Sequence, residues 1–449
     1  MRPRRHIPRD PARPEPAPTG RRRGLFTMAA TRPAGPGRPP VTAFPRFVRL
    51  YALAALLLFS AFVHAAPAPA PAHAAGARPP RIGMVTMQPG EEFWSRFGHD
   101  ALVVLNPDSG EAISYNFGYF DPSEPNFVQR FVRNDMRYRL LALPFDADMS
   151  QYAHEGRGVS VQWLDLTPAQ ARELAEALRI NALPENSYYR YQYFDDNCAT
   201  RVRDAIDRAI GGELRRQTEG RSHGNTLRSE ALRLSSPEPW MWVLLDVMMG
   251  PKADLPVPVW TESYVPGRLA AALREVKNPQ GRPLVAEERS LLPHQISPEP
   301  EGRPLPWWPW ALAGLALGAA LAWIGDRSPR VLAFAALPLW GALGAVGAVL
   351  VYAWAGTGHD YIWANRNLLL FNPLCLLLWL GGLRALFGRE TGSVFVWLTA
   401  LVALCALAAL FLYWLPVYPQ RNLHWIALWL PIHIGLWLGF RKAARLRLA

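Results

Sequence analysis

Cysteine is scarce in this chain. Only Cys198, Cys375 and Cys405 occur in 449 residues, and the last two lie inside long apolar runs. Cys198 therefore has no disulfide partner in the polar part of the chain, which excludes a disulfide-stapled scaffold. Lysine is nearly absent, and the basic residues are almost all Arg. With abundant Ala and Pro, this reads as a genome-wide compositional bias, so proline counts carry little structural weight. The net charge of +12 does not indicate a nucleic-acid surface, because residues 1–50 hold twelve Arg against Asp10 and Glu15. The remainder is close to neutral, and no nucleic-acid partner is expected. No phosphate-binding glycine loop and no Gly-x-Ser-x-Gly elbow is present. Zinc-type ligand spacing is also missing, since His154 and His223 stand apart without a paired motif, so no metal and no cofactor is expected.

Residues 1–45 are Arg/Pro-rich without an apolar period. They read as a disordered extension, or as sequence upstream of a start at Met28. Residues 46–66 carry Arg46 and Arg49, the apolar run Leu50–Val63 and then small residues, the pattern of a signal peptide, with an uncleaved anchor as the alternative. No cysteine follows, so it is not a lipoprotein signal. Residues 67–80 form a Pro/Ala linker.

Residues 81–300 then read as an exported α+β domain. Strands are expected at Arg81–Met87, Ala101–Leu105, Ala112–Phe117, Met136–Phe145 and Val159–Leu166, with a short helix over Pro89–Arg96. Helices are expected at Asn126–Val132, Asp146–His154 and from Thr167-Pro168 to Ile180. The turn residues Asn106–Gly110 make a hairpin of the second and third strands. If its pairing centres on Asp108-Ser109, His99 lies opposite Gly118, and Asn116 shares its sheet face one step along.

The domain is organised around Tyr188–Asp204. Asp195-Asp196-Asn197 is a helix start, because Asp and Asn side chains cap orphan N–H groups. Ala199, Val202, Ile206 and Ile210 keep a helical period, and Gly211-Gly212 is the stop. Cys198 thus falls in the first turn, where the helix dipole favours thiolate over thiol, with Arg201 and Arg203 adding positive charge. A buried structural cysteine is the competing reading. With a histidine present, thiol acyl chemistry becomes available: Cys198 as nucleophile, His99 as base, and Asn116 as its orienting group, with Asp121 as the alternative. The N–H of Cys198 would be an oxyanion donor. Tyr193 and its neighbouring tyrosines either pack a core or line an apolar groove near a bilayer. Arg190, Arg201 and Arg203 either meet lipid phosphate or form a solvated face.

Phe97-Gly-His-Asp-Ala-Leu, Tyr115-Asn-Phe-Gly-Tyr-Phe-Asp, Tyr188–Tyr193 and Asp196-Asn-Cys-Ala-Thr-Arg-Val-Arg, in that order, resemble the Lnb-type exported domain. Asp246, Gly250, Asp254, Glu262 and Val265-Pro266 resemble its continuation. That family contains bacterial lipoprotein N-acyltransferases. Histidine before cysteine also resembles the circularly permuted papain-like superfamily, which includes lecithin–retinol acyltransferase. The resemblance implies that Cys198 carries an acyl group taken from a phospholipid donor and that a lipoprotein is the acceptor.

Beyond the Pro-rich residues 297–309, five apolar segments follow within residues 306–441: Trp307–Ile324, Val331–Trp354, Leu368–Leu386, Val394–Val417 and Trp425–Phe440. They are expected to form an all-α bundle of five transmembrane helices, ending in a cytoplasmic tail at 442–449. Arg327, Arg330, Arg384, Arg389 and the tail cations fall on one side, which the positive-inside rule makes cytoplasmic. This places residues 81–300 in the periplasm of a bacterial inner-membrane protein. Thr357, His359, Asp360, Asn365, Arg366 and Asn367 cluster on the outer side, with Asn422 and His424 in the other outer loop. They are either solvated or touch substrate, with His359 and Asn365 as the candidates. Three functions compete on these residues: a membrane-bound thiol acyltransferase, an exported Cys/His hydrolase or amidase acting on the cell wall, and a non-enzymatic scaffold.

Overall fold

A computed structural model of the protein describes residues 78–302 and 305–445. The extension at 1–45, the signal-like run at 46–66 and most of the linker at 67–80 lie outside the described residues, as does the end of the tail.

The exported part is built on one seven-stranded sheet in which every neighbouring pair is antiparallel. In chain order its first elements are β1 (Arg81–Met87), β2 (His99–Leu105), β3 (Ala112–Tyr119), α1 (Phe127–Val132) and β4 (Met136–Pro144). Next come α2 (Phe145–His154), β5 (Val159–Leu164), α3 (Pro168–Asn181), β6 (Tyr188–Tyr191) and α4 (Cys198–Ala209). The domain closes with α5 (Glu213–Thr218), α6 (Leu227–Ser235), α7 (Pro239–Met248), α8 (Val259–Glu262), α9 (Pro266–Glu275) and β7 (Val285–Leu292). The strand order is β6-β4-β3-β2-β1-β5-β7.

Period-2 alternation sorts the strands into two cores. Ile82, Met84, Leu102, Val104, Tyr115 and Phe117 face α3, α4 and α9. Val85, Met87, Ala101, Val103 and Val161 face the other way, where α2 covers them through Tyr152 and Met149. The inward face of α4 is Ala199, Val202 and Ile206, all fully buried. Burial of a side chain the size of Val or Ile contributes about 1.5–3 kcal/mol, which is what holds α4 against the sheet.

The hairpin pairs in the register centred on Asp108-Ser109: Leu105 faces Ala112 and Ala101 faces Asn116. Strand β2 begins at His99, two residues earlier than expected. The Pro89–Arg96 stretch is not helical. It is a run of turns in which Gly90 N–H bonds the Ser95 carbonyl at 2.9 Å.

The second part is helical: α10 (Trp308–Arg327), α11 (Pro329–Gly356), α12 (Cys375–Leu386), α13 (Gly392–Tyr413) and α14 (Leu423–Arg445). Among the described residues, four helices are long and apolar enough to cross a membrane, namely α10, α11, α13 and α14. The expected fifth spanning helix over Leu368–Leu386 is corrected. Only Cys375–Leu386 is α-helical, 12 residues or roughly 18 Å, short of the ~30 Å hydrocarbon core. Asn372-Pro373 explains the break, since a residue before proline is steered out of the helical region. The preceding stretch is a 3₁₀ turn, Arg366–Leu369, followed by the buried Leu370 and Phe371. Helices α10 and α14 approach closely through glycine: a Cβ on Gly314 would stand 2.6 Å from the Leu428 carbonyl oxygen.

The exported domain is fastened to one end of this bundle. Asn365 Nδ2 donates to the Val247 and Met248 carbonyls at 2.8 Å each, and Gly250 N–H donates to the Tyr361 carbonyl at 2.8 Å. Asp246, fully buried, receives His424 Nε2 at 2.6 Å and Trp425 Nε1 at 2.7 Å. Arg228 bridges Asp246 and Asp254 at 2.9 Å each, so these buried charges are paired.

Candidate active site

Cys198 is the first residue of α4, and the turn that places it is doubly capped. Asn197 Oδ1 accepts from Thr200 N–H at 2.9 Å, and Thr200 Oγ1 accepts from Asn197 N–H at 2.7 Å. The remaining amide hydrogens of Asn197 go to the carbonyls of Tyr193 and Tyr264. All the polar groups of Asn197 are used, so the first turn has one geometry.

His99 opens β2, and its Nε2 lies 3.1 Å from Asn116 Oδ1. The amide orientation follows from its other contacts. Asn116 Nδ2 donates to Asp148 Oδ2 at 3.0 Å and to Ser114 Oγ at 3.1 Å, and Ser114 Oγ donates to the same Asp148 oxygen at 2.6 Å. Only an amide nitrogen satisfies that carboxylate, so the oxygen faces the imidazole. Nε2 then carries the proton, and Nδ1 is the free base. Asp148, brought from α2, is the group that sequence reasoning missed. Asp121 accepts instead from Ser123 Oγ at 2.6 Å, in its own loop.

Gly118 is where the two catalytic candidates meet. It lies in the β3 bulge between Phe117 and Tyr119 with φ of 103°, a conformation that favours glycine. A Cβ there would stand 3.7 Å from Cys198 Cβ, 4.0 Å from His99 Cε1 and 3.9 Å from the Tyr189 hydroxyl. That hydroxyl is buried and has no hydrogen-bond partner among the described residues. Arg201 stacks over its ring at 4.2 Å.

The electrostatics correct one expectation. Burial pushes the Cys198 thiol up to about 12, with the neighbouring Asp100 carboxylate adding to the rise. The backbone N–H groups of Asp100 and Ala199 act against it and lose. Burial, then the positive charge of Arg157, pulls His99 down to about 4. The resting pair is therefore thiol and neutral imidazole, since desolvation outweighs the helix dipole. Arg201 and Arg203 do not alter this. Arg201 forks onto Asp196, and Arg203 donates to Asp204 and to the Trp260 carbonyl, both at 2.8 Å. Asp100 itself is raised to about 7 by burial, eased by Thr86 Oγ1 donating to it at 2.8 Å.

Residues 72–230 match the family model described as the Lnb N-terminal periplasmic domain, and residues 306–443 match the Lnb transmembrane domain. The chain belongs to the Lnb family. Neither the curated proteins nor the solved structures yield a match.

In this Lnb-family protein, rings run from the cysteine to the outer loops of the bundle. Tyr138 and Tyr191 stack at 4.1 Å, Tyr191 meets Tyr193 at 5.9 Å, and Tyr193 meets the His359 ring at 6.0 Å. Burial raises the Tyr191 hydroxyl well above its ordinary range, and a Cys198 thiolate, when formed, adds to the rise. His359 is fixed by Nε2 donating to the Phe131 carbonyl at 2.8 Å, so it joins the Lnb membrane domain to this strip. Asn365 does not face the strip. It is buried and closes the C-terminal end of α7. Among the described residues no cluster of three or more His, Cys, Asp or Glu is placed to hold a metal.

Proposed function

We propose that this protein is a membrane-bound cysteine acyltransferase of the bacterial inner membrane, working on its periplasmic face. The observation that carries the reading is the convergence of Cys198 and His99, with Asn116 behind the imidazole, on the space beside Gly118. Histidine on a hairpin before a cysteine-bearing helix is the arrangement of a permuted papain-like thiol enzyme. Nδ1 of His99 takes the Cys198 proton as the sulfur attacks an ester carbonyl of a phospholipid. The C–O bond breaks, the departing alkoxide takes that proton from the imidazolium, and a lysophospholipid leaves. The thioester is then attacked by an amine, which the family resemblance makes the N-terminus of a lipoprotein. The amine proton passes to His99 and on to the sulfur as the C–S bond breaks. The Cys198 N–H, at the first position of α4, and the Tyr189 hydroxyl are the donors assigned to the developing oxyanion.

The aromatic strip supports an apolar acyl path from the bundle to the sulfur, with Tyr193 and His359 at its outer end. Arg201 holds the Tyr189 ring and does not present a free phosphate-binding fork. The bundle supports a lipid substrate over a wall substrate, because the cysteine domain is fastened to the loops of four helices long and apolar enough to cross a membrane. Purified full-length protein given phospholipid vesicles and a diacylated lipopeptide tests the reading by mass spectrometry. The lipopeptide gains one acyl chain under this proposal. Cleavage of added cell-wall peptides with no gain on the lipopeptide would favour the amidase.

A further inference from the structure

Helix α7 has no polar face. Its sequence, Pro-Trp-Met-Trp-Val-Leu-Leu-Asp-Val-Met, holds one ionisable side chain, Asp246, which is fully buried. A helix apolar on every side needs apolar cover all round. Part of α7 has it: Val247 and Trp242 pack into the membrane-bundle core, and Leu245 packs into the exported domain. The stripe of Trp240, Val243 and Leu244, at helical spacing of three and four, does not: these residues are 58%, 42% and 51% exposed, and the stripe enters the bundle core only where it reaches Val247.

This uncovered face continues the apolar outer surface of the bundle. His424 sits between Trp242 of α7 at 6.0 Å and Trp310 of α10 at 5.5 Å. Beside them, Trp307, Trp308 and Leu312 are 52%, 57% and 60% exposed at the outer end of a spanning helix, where Trp marks the membrane–water interface. The bonds from Asn365 and Asn367 to the Val247 carbonyl hold α7 at that level. We propose that α7 is an interfacial membrane helix, its Trp240–Val243–Leu244 face seated in the outer leaflet of the phospholipid bilayer. The exported domain then enters the membrane surface through its own residues, beyond its attachment to the bundle.

The proposal stands apart from the thiol chemistry and is tested without turnover. Leu244→Cys and, separately, Val243→Cys are placed in full-length protein carrying Cys198→Ser and Cys405→Ala, leaving the buried Cys375. Each is labelled with a nitroxide and reconstituted, highly diluted, into phosphatidylcholine–phosphatidylglycerol vesicles. Collision rates with oxygen, which concentrates in lipid, and with a water-soluble nickel chelate are compared with a label at exposed Arg221→Cys. The expected result is an oxygen-to-nickel ratio several-fold higher at both α7 positions than at the control. A ratio equal to the control at both overturns the proposal. So does dipolar broadening between α7 labels at high dilution, which would mean that a second copy covers the face.

Discussion

Asn116 Oδ1 accepts the hydrogen bond of His99 Nε2–H because Asp148 holds the other end of the same amide. The carboxylate on α2 thereby sets the tautomer of an imidazole on β2, with Asn116 as the link. Removing the link and removing its anchor have different consequences. Asn116→Ala forfeits the bond to the imidazole, worth about 1 kcal/mol to its orientation, together with the bonds to Asp148 and Ser114, so turnover falls roughly five- to tenfold. Asp148→Ala frees the amide to flip and offer Nδ2–H to the ring, which favours the wrong tautomer and lowers turnover further. Asp148→Asn keeps an acceptor oxygen and recovers most of the loss. Equal losses for Asp148→Ala and Asp148→Asn would show that the carboxylate serves packing alone.

Tyr189→Phe separates catalysis from stability. The hydroxyl is buried without a partner among the described residues, so its removal leaves the melting temperature unchanged or higher. As an oxyanion donor, its loss lowers kcat by about 10²- to 10³-fold with little change in KM. A variant with full kcat would take Tyr189 out of the site.

The thiol raised to about 12 fixes the sign of a pH experiment. A raised thiol pKa means the proton stays on sulfur at neutral pH, so substrate-free Cys198 reacts with iodoacetamide more slowly than a free cysteine. Its rate rises about tenfold per pH unit through the alkaline range without levelling off. His99→Ala hardly changes that profile, because the imidazole it removes is uncharged at rest, yet it abolishes acyl transfer. A plateau below about pH 8 would reveal a preformed thiolate–imidazolium pair.

Much of this site was legible in the sequence because its determinants are local. Alternation and the turn at Asn106–Gly110 set the hairpin register, which puts Asn116 beside His99. The Asn197 cap and the period of Ala199, Val202 and Ile206 set α4. What stayed hidden depends on distance or on missing contrast. Asp148 reaches Asn116 from 32 residues away, and no pattern in α2 announces it. Strand β7, Val-Ala-Glu-Glu-Arg-Ser-Leu-Leu, is a charged strand at the sheet edge, pairing among the described residues with β5 alone, so its sequence looks like loop. In Leu368–Leu386, the length of the apolar run outweighed Asn372-Pro373, although that pair marks the break in the helix.

The fastening of the two parts is tested at Asp246. Asp246→Ala leaves Arg228 and His424 without that buried partner, a change that costs about 3–5 kcal/mol in comparable buried pairs. The expected outcome is a clearly lowered melting temperature in detergent. Asp246→Asn, which keeps an acceptor for Trp425 and His424, lowers it less. An unchanged melting temperature for Asp246→Ala would mean that this contact contributes nothing to the docking.

The central claim is that Cys198 carries an acyl group drawn from phospholipid. Purified full-length protein is incubated with vesicles holding a phospholipid labelled in its acyl chains, with no amine acceptor, then denatured and digested. The prediction is a labelled adduct on the Cys198 peptide, released by neutral hydroxylamine as a thioester and absent from Cys198→Ser and His99→Ala. Wild-type protein that stays unlabelled, or label that persists in Cys198→Ser, would contradict it.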